Sequence, residues 1–194
     1  IPFRGYYCCR FAFGIEGKQY LCPGDTVLIS SPVYNPYNLI LEHRGIHSVS
    51  LSLDPLTGNA SPASLDRVFA SKIPLKMIVL IDPNNPTGIS GDPFLLQKIA
   101  DLAVRHDSII LTDEVYSDFF PPKTTLIDLC PERVIRIHAR SKVERSTGLR
   151  FGDAVISKKA QQFFRERFGV DFMRLLIDAK APGGIHGEFH HTTF

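Results

Sequence analysis

Short apolar runs recur along the chain and alternate with amphipathic stretches. Six runs have the length and the β-branched content of strands. They are residues 26–30, 47–53, 76–82, 108–113, 133–139 and, as a weaker candidate, 153–157. Several are continuously apolar instead of alternating with polar residues, which is typical of strands buried on both faces. The pattern therefore predicts a mainly parallel sheet that is covered by helices on both sides.

Helical patterns occupy stretches between these strands. The clearest runs from Pro93 to about His106, where Asp92 is a natural N-cap and apolar residues recur on one face. A second begins near Ser61, and the residues after Lys158 are helical as well. Alternating strands and helices predict an α/β fold, organised as a three-layer α/β/α sandwich.

Length, charge and cysteine content narrow the class of protein. A chain of 194 residues with 44% hydrophobic content can bury a sizeable core. Its 22 basic and 20 acidic residues give a net charge of +2, which argues against nonspecific nucleic-acid binding. No run approaches the roughly 18 apolar residues of a membrane span. The four cysteines lack a paired spacing, so we expect reduced thiols and a cytoplasmic protein.

The candidate chemistry lies where strands end. Ligands of parallel sheets bind at the carboxyl ends of the strands. The third run ends in "DPNNPTG", the fourth in "TDEVYSDF", and "ARSKVERSTGLRFG" follows the fifth. An amide, an acid, a phenol, a lysine and an arginine at one edge fit an anionic, aromatic cofactor with a reactive carbonyl. Each of these features, taken alone, also has a purely structural explanation. The proline-rich segment could be only a turn, the acid a helix cap, and the basic residues between 133 and 150 a charged surface.

In this order and at this spacing, the motifs resemble those of the fold-type I pyridoxal-phosphate enzymes, the class I/II aminotransferases. The segment "NNPTG" is similar to the family's Asn-Pro-x-Gly turn, "DEVY" to its Asp-x-x-Tyr element, and "SK" with "GLRFG" to its Schiff-base segment. The resemblance covers roughly residues 13–152. It implies the cofactor pyridoxal 5′-phosphate (PLP), an aminotransferase that acts on an amino acid and a 2-oxo acid, and a homodimer in the full-length form.

The resemblance assigns the chemistry to two residues. Lys142 would form the aldimine with the cofactor and then move the proton of the substrate. Asp113 would pair with the pyridine nitrogen and keep it protonated, so that the ring can accept electrons from the substrate carbon.

Four further residues would hold the cofactor in place. By the same resemblance, Asn85 and Tyr116 hydrogen-bond its phenolic oxygen and Arg150 binds its phosphate. Tyr34 would stack on the ring face. Tyr37, three residues after Tyr34, is interpreted as a packing residue.

The chain departs from the family pattern in the phosphate site and in its extent. Ala139 stands where the family commonly has a serine, and "YYCCR" replaces its small-residue turn, with Arg10 as a possible substitute by charge. The family's arginine for the substrate carboxylate lies in a C-terminal domain. We therefore assign residues 1–158 to an incomplete PLP-binding large domain and 159–194 to a helical connection and tail. We expect this chain alone to be inactive.

Other functions stay open at this stage. The same fold supports amino acid decarboxylation and elimination, and a cofactor domain alone does not define the substrate. A catalytically inactive paralogue, or the ligand-sensing domain of a regulator, is a further alternative. His186 and His190 in "HGEFHH" have a metal-ligand spacing, but no further ligand set accompanies them, so we predict no metal site.

Overall fold

Six strands form the middle layer in the computed structural model, which describes residues 20–121, 124–145 and 152–177. The strands are β1 (Thr26–Ser31), β2 (His47–Ser52), β3 (Met77–Ile81), β4 (Ile109–Asp113), β5 (Val134–Ala139) and β6 (Gly152–Val155). Their order in the sheet is β2-β1-β3-β4-β5-β6. All neighbours are parallel except β5 and β6. The predicted strands, including the weaker sixth, and the mainly parallel sheet are confirmed.

Six helices accompany the sheet in the described ranges. They are α1 (Pro36–His43), α2 (Pro62–Ala70), α3 (Pro93–Arg105), α4 (Leu126–Leu129), α5 (Arg140–Val143) and α6 (Lys158–Ile177). The helix with the predicted Asp92 cap and the helix predicted to start near Ser61 begin as expected. The Ser61 side chain accepts a hydrogen bond from the Ser64 backbone, and the Asp92 side chain accepts one from the Leu95 backbone.

The sheet separates two hydrophobic cores. On one face, α1 and α6 pack on the strands through Tyr37, Leu41 and Phe164. On the other face, α2, α3 and α4 supply the apolar side chains, among them Leu65 and Ile99. Every residue of β3 and of β4 is buried, as expected for central strands that are covered on both sides. The three-layer sandwich is therefore confirmed.

The parallel strands put their carboxyl ends at one edge of the sheet. The turns after β1, β3, β4 and β5 consequently lie side by side, and these turns carry the candidate functional residues. In β4, Ile109 and Leu111 belong to the core beneath α1, whereas Ile110 belongs to the opposite core. Because side chains alternate along a strand, Asp113 faces the α1 side.

Helix α6 begins at Lys158, and residues of its first two turns pack in the hydrophobic core. Its Ala160 and Phe164 are fully buried among residues of the sheet. The predicted division of the chain into residues 1–158 and 159–194 stays a prediction. Within the described part of the chain, no helix combines the length and the apolar content that crossing a membrane would require.

Candidate functional site

The turn after β3 uses its two adjacent asparagines differently. Asn84 is buried, and its Nδ2 donates to the backbone oxygen of Pro32 at 3.0 Å, which ties this turn to the one after β1. Gly88 closes the turn at a φ of +72°, which favours glycine, and its N–H donates to the Asn84 backbone oxygen. Asn85 is half-buried and its Nδ2 donates to Tyr116 Oη at 3.4 Å. The rigid turn therefore holds Asn85 toward the turn after β4.

Asp113 is a buried carboxylate at the end of β4. The Tyr37 hydroxyl donates to its Oδ2 at 2.6 Å, and the Val115 backbone N–H donates to its Oδ1 at 3.3 Å. Burial raises the pKa of Asp113, opposed by these two hydrogen bonds and by the charge of His138. Within the described ranges, no lysine or arginine forms an ion pair with Asp113. The site therefore offers a buried carboxylate whose ionised form a cationic ligand would stabilise.

The role of Tyr37 was only partly predicted. Its ring is fully buried in the core beneath α1, as expected for a packing residue. Its hydroxyl, however, is the side-chain donor to Asp113. The available signal was the residue type, since a tyrosine is usually buried with its hydroxyl hydrogen-bonded.

Lys142 and Tyr116 approach each other from neighbouring strands. Tyr116 lies in the turn after β4, and Lys142 lies in the single-turn helix α5 that follows β5. The Lys142 Nζ is 5.9 Å from the centre of the Tyr116 ring. Because Tyr116 also contacts Asn85, the ends of three strands bring these predicted residues into one group.

The remaining predicted residues contribute less to this geometry. Tyr34 follows β1 on the same edge of the sheet, and its backbone oxygen accepts from the Tyr37 N–H at the start of α1. Ala139 is the buried last residue of β5, so that position offers no hydroxyl. Arg150 and Arg10 lie outside the described residues, and the assigned role of Arg150 stays a prediction.

The donor set fits the ring portion of PLP. A buried carboxylate that pairs with no lysine or arginine of the described segments suits a protonated pyridine nitrogen. The Tyr116 hydroxyl with the Asn85 amide suits a phenolic oxygen. The Lys142 amine suits the aldehyde. Among the described residues, no cluster of side chains has the composition of a metal site. His186 and His190 lie outside those residues.

One buried ion pair was missed by sequence reasoning. Arg136 was considered as part of a basic surface, but its Nε lies 2.7 Å from Oε2 of the buried Glu114. Burial raises the pKa of Glu114 to about 7, although the charge of Arg136 lowers it. The available signal was an arginine within an otherwise apolar strand, where an unpaired charge would be costly.

Comparison with known proteins points to one family. The family model for aminotransferase class I and II matches residues 16–167 of this chain. A bifunctional aspartate aminotransferase and L-aspartate beta-decarboxylase from Pseudomonas sp is 33% identical over 134 residues. That match covers 66% of this chain and 25% of the relative, so the chain spans about a quarter of the relative's length.

Two solved structures share the fold. Aspartate aminotransferase from Thermus thermophilus with maleate has a TM-score of 0.63 at 26% identity, over 77% of this chain and 37% of that one. The PLP-bound C-S lyase from Staphylococcus hominis has a TM-score of 0.65 at 18% identity, over 84% of this chain and 43% of that one. The α/β assignment is thus supported independently of the sequence motifs.

Removing the Tyr37 hydroxyl should destabilise the fold. We expect Tyr37→Phe to lower the free energy of unfolding by about 1–3 kcal/mol, because the buried Asp113 carboxylate loses its hydroxyl donor. Urea titration followed by circular dichroism measures this change. Tyr20→Phe is the matched control, since it removes a hydroxyl that donates to the Lys76 backbone oxygen at a more exposed position. Equal losses in the two variants would contradict the importance of the Tyr37 contact.

Glu114 should make stability depend on pH near neutrality. Its usual pKa is 4.5 and its folded pKa is about 7, so the folded state keeps a proton that the unfolded state releases between these values. Stability should therefore fall as the pH rises from 4.5 to 7, by on the order of 3 kcal/mol. The Glu114→Gln variant should lack this component. Urea titrations of both proteins across this range provide the test, and parallel pH profiles would refute it.

Proposed function

The chain belongs to the class I and II aminotransferases, and on that premise we propose that it supplies the PLP-binding part of an enzyme that transfers an amino group between an amino acid and a 2-oxo acid. One observation carries the proposal. Asn85, Tyr116 and Lys142 lie close together at one edge of the sheet. Asp113 is a buried carboxylate at the same edge, at the end of β4.

Asp113 would act on the electronic state of the ring. When bound, PLP supplies an aldehyde that links to amines and a pyridine ring that accepts electrons from the substrate carbon. The Asp113 carboxylate would hold a proton on the pyridine nitrogen, because an ion pair in this buried position favours both charges. Tyr37 would keep the carboxylate in place through the 2.6 Å hydrogen bond.

Lys142 would supply the reacting amine. It is exposed in α5, so an aldehyde at the sheet edge has access to its Nζ. The same nitrogen would accept the proton of the substrate carbon and later return it. Asn85 and Tyr116 would hold the phenolic oxygen and thereby orient the cofactor toward Lys142.

Fewer observations bear on the binding of the PLP phosphate and on the type of reaction. Arg150 is our proposed phosphate ligand, and Tyr34 our proposed stacking partner for the ring. Amino transfer is favoured by the family match, whereas decarboxylation has support from the bifunctional relative. Ala139, which offers no hydroxyl to a phosphate, favours a domain that binds PLP weakly and does not turn over. The homodimer and the amino acid substrate remain predictions.

Covalent labelling tests the assignment of Lys142. We expect borohydride reduction of the chain in the presence of PLP, followed by peptide mapping, to leave the pyridoxyl group on Lys142. Lys158 and Lys159 are exposed and serve as internal references for nonspecific labelling. The Lys142→Arg variant should lose the specific label. A label that is spread evenly over the lysines of the folded protein would refute the assignment.

Asp113→Asn separates cofactor attachment from chemistry. We expect the variant, made in the longer enzyme of which this domain would form part, to keep the Lys142 label but to lose most of its activity. An amide cannot stabilise the protonated ring nitrogen. The measurement is release of 2-oxo acid from a panel of amino acids, with Asp66→Asn as a control at an exposed position of α2. Activity close to that of the unaltered enzyme would show that Asp113 is not the partner of the ring.

A further inference from the structure

A group of charged and polar side chains lies across the sheet from Asp113. We call it the Arg136 cluster, and it consists of Glu114, Ser117, Asp118, Arg136 and His138. Arg136 and His138 belong to β5, and Val134 of that strand packs in the core beneath α2 and α3. Because side chains alternate along a strand, Arg136 and His138 face that side as well. The cluster therefore lies outside the proposed cofactor contacts.

Strand β5 holds the turn after β4 through this cluster. Arg136 Nη2 donates to Ser117 Oγ at 3.2 Å. Arg136 Nε lies 2.7 Å from Glu114 Oε2, an ion-pair contact without the alignment of a directed hydrogen bond. His138 Nε2 lies 3.1 Å from Asp118 Oδ2. Arg136 and His138 of β5 thus contact Glu114, Ser117 and Asp118 in the segment after β4.

The held turn contains Tyr116, and β5 leads directly to Lys142. Glu114 and Ser117 flank Tyr116, and the Glu114 N–H donates to the Ile137 backbone oxygen at 2.8 Å. Lys142 follows His138 by four residues along the chain. The separation between the Tyr116 ring and Lys142 Nζ is therefore set by how this turn sits on β5.

From these contacts we propose that Arg136 is a positioning residue. By binding Glu114 and Ser117 together, it fixes the Tyr116 side chain relative to Lys142. The inference rests on the proposed function, because that function gives Tyr116 and Lys142 their roles. It goes further by assigning a role in the site to a residue that does not touch it.

A contribution to fold stability alone explains the pair less well. Glu114 and the Arg136 Nε are removed from water, although 31% of the Arg136 side chain is exposed, and a close ion pair often fails to compensate for such a loss of hydration. Burial raises the pKa of Glu114 to about 7 even with Arg136 beside it, so desolvation outweighs the attraction at this site. Replacing such a pair with apolar residues of similar shape is often neutral or stabilising.

Two double variants test the proposal with matched chemistry. Glu114→Gln/Arg136→Met removes the ion pair without leaving a buried unpaired charge. Asp107→Asn/Arg133→Met removes the pair in which Arg133 Nη1 lies 3.0 Å from Asp107 Oδ1, at the opposite end of β5, together with the ion pair between Arg167 and Asp107. Only the first variant should alter the geometry around Tyr116.

The first readout needs no cofactor. The chain has six tyrosines, and carbon-13 labelling of their rings gives resonances that Tyr116→Phe assigns. We expect the Tyr116 resonance to move in Glu114→Gln/Arg136→Met and to stay in place in the control.

The second readout is PLP labelling of Lys142 relative to Lys158, which should fall roughly tenfold in the first variant only.

The possible outcomes separate this proposal from the proposed function. A folded Glu114→Gln/Arg136→Met protein with an unchanged Tyr116 resonance overturns the positioning role. Absence of Lys142 labelling in the unaltered chain overturns the proposed function, whereas the Tyr116 resonance still decides the positioning role. If the double variant does not fold, Arg136→Lys replaces it. Lysine lacks the guanidinium fork through which Arg136 contacts Glu114 from Nε and Ser117 from Nη2. The Tyr116 resonance should therefore move again, and an unchanged resonance overturns the proposal.

Discussion

The hydrogen bond from the Tyr37 hydroxyl to the Asp113 carboxylate joins residues that are 76 positions apart in the chain. A carboxylate that is removed from water needs such a partner, because the lost hydration otherwise costs several kcal/mol. Helix α1 must therefore lie against the end of β4. The sheet order allows this contact, since β3 lies between β1 and β4 and brings the turn after β1 toward the end of β4.

Neighbouring residues in the site divide structural and chemical tasks between them. Asn84 ties two turns together, which leaves Asn85 to face Tyr116. In the same way, Asp113 faces the α1 side of the sheet whereas Glu114 joins Arg136 on the other side. For Asp113 and Glu114 the division follows from the backbone, because successive side chains at a strand end point to opposite faces.

The sequence predicted the elements better than the contacts between them. Strands were recognised from continuous apolar runs, and two helices from the Asp92 cap and from a start near Ser61, because these signals are local. The partner of Tyr37 is not local, so its hydroxyl contact could not be derived from spacing. The contact of Arg136 with Glu114 was not predicted for a similar reason, since the partner of a charged side chain depends on distant packing. The role of Arg150 stays a prediction from motif order alone.

The parallel arrangement also bears on the order of folding. Parallel neighbours cannot be joined by a tight hairpin, so each pairing closes a long loop. The contacts that build the site span 31, 52 and 76 residues. Chains dominated by contacts of such high sequence separation fold slowly, because the entropy of loop closure is lost before the contacts form. We therefore expect the site to be completed only after the four strands that border it have paired.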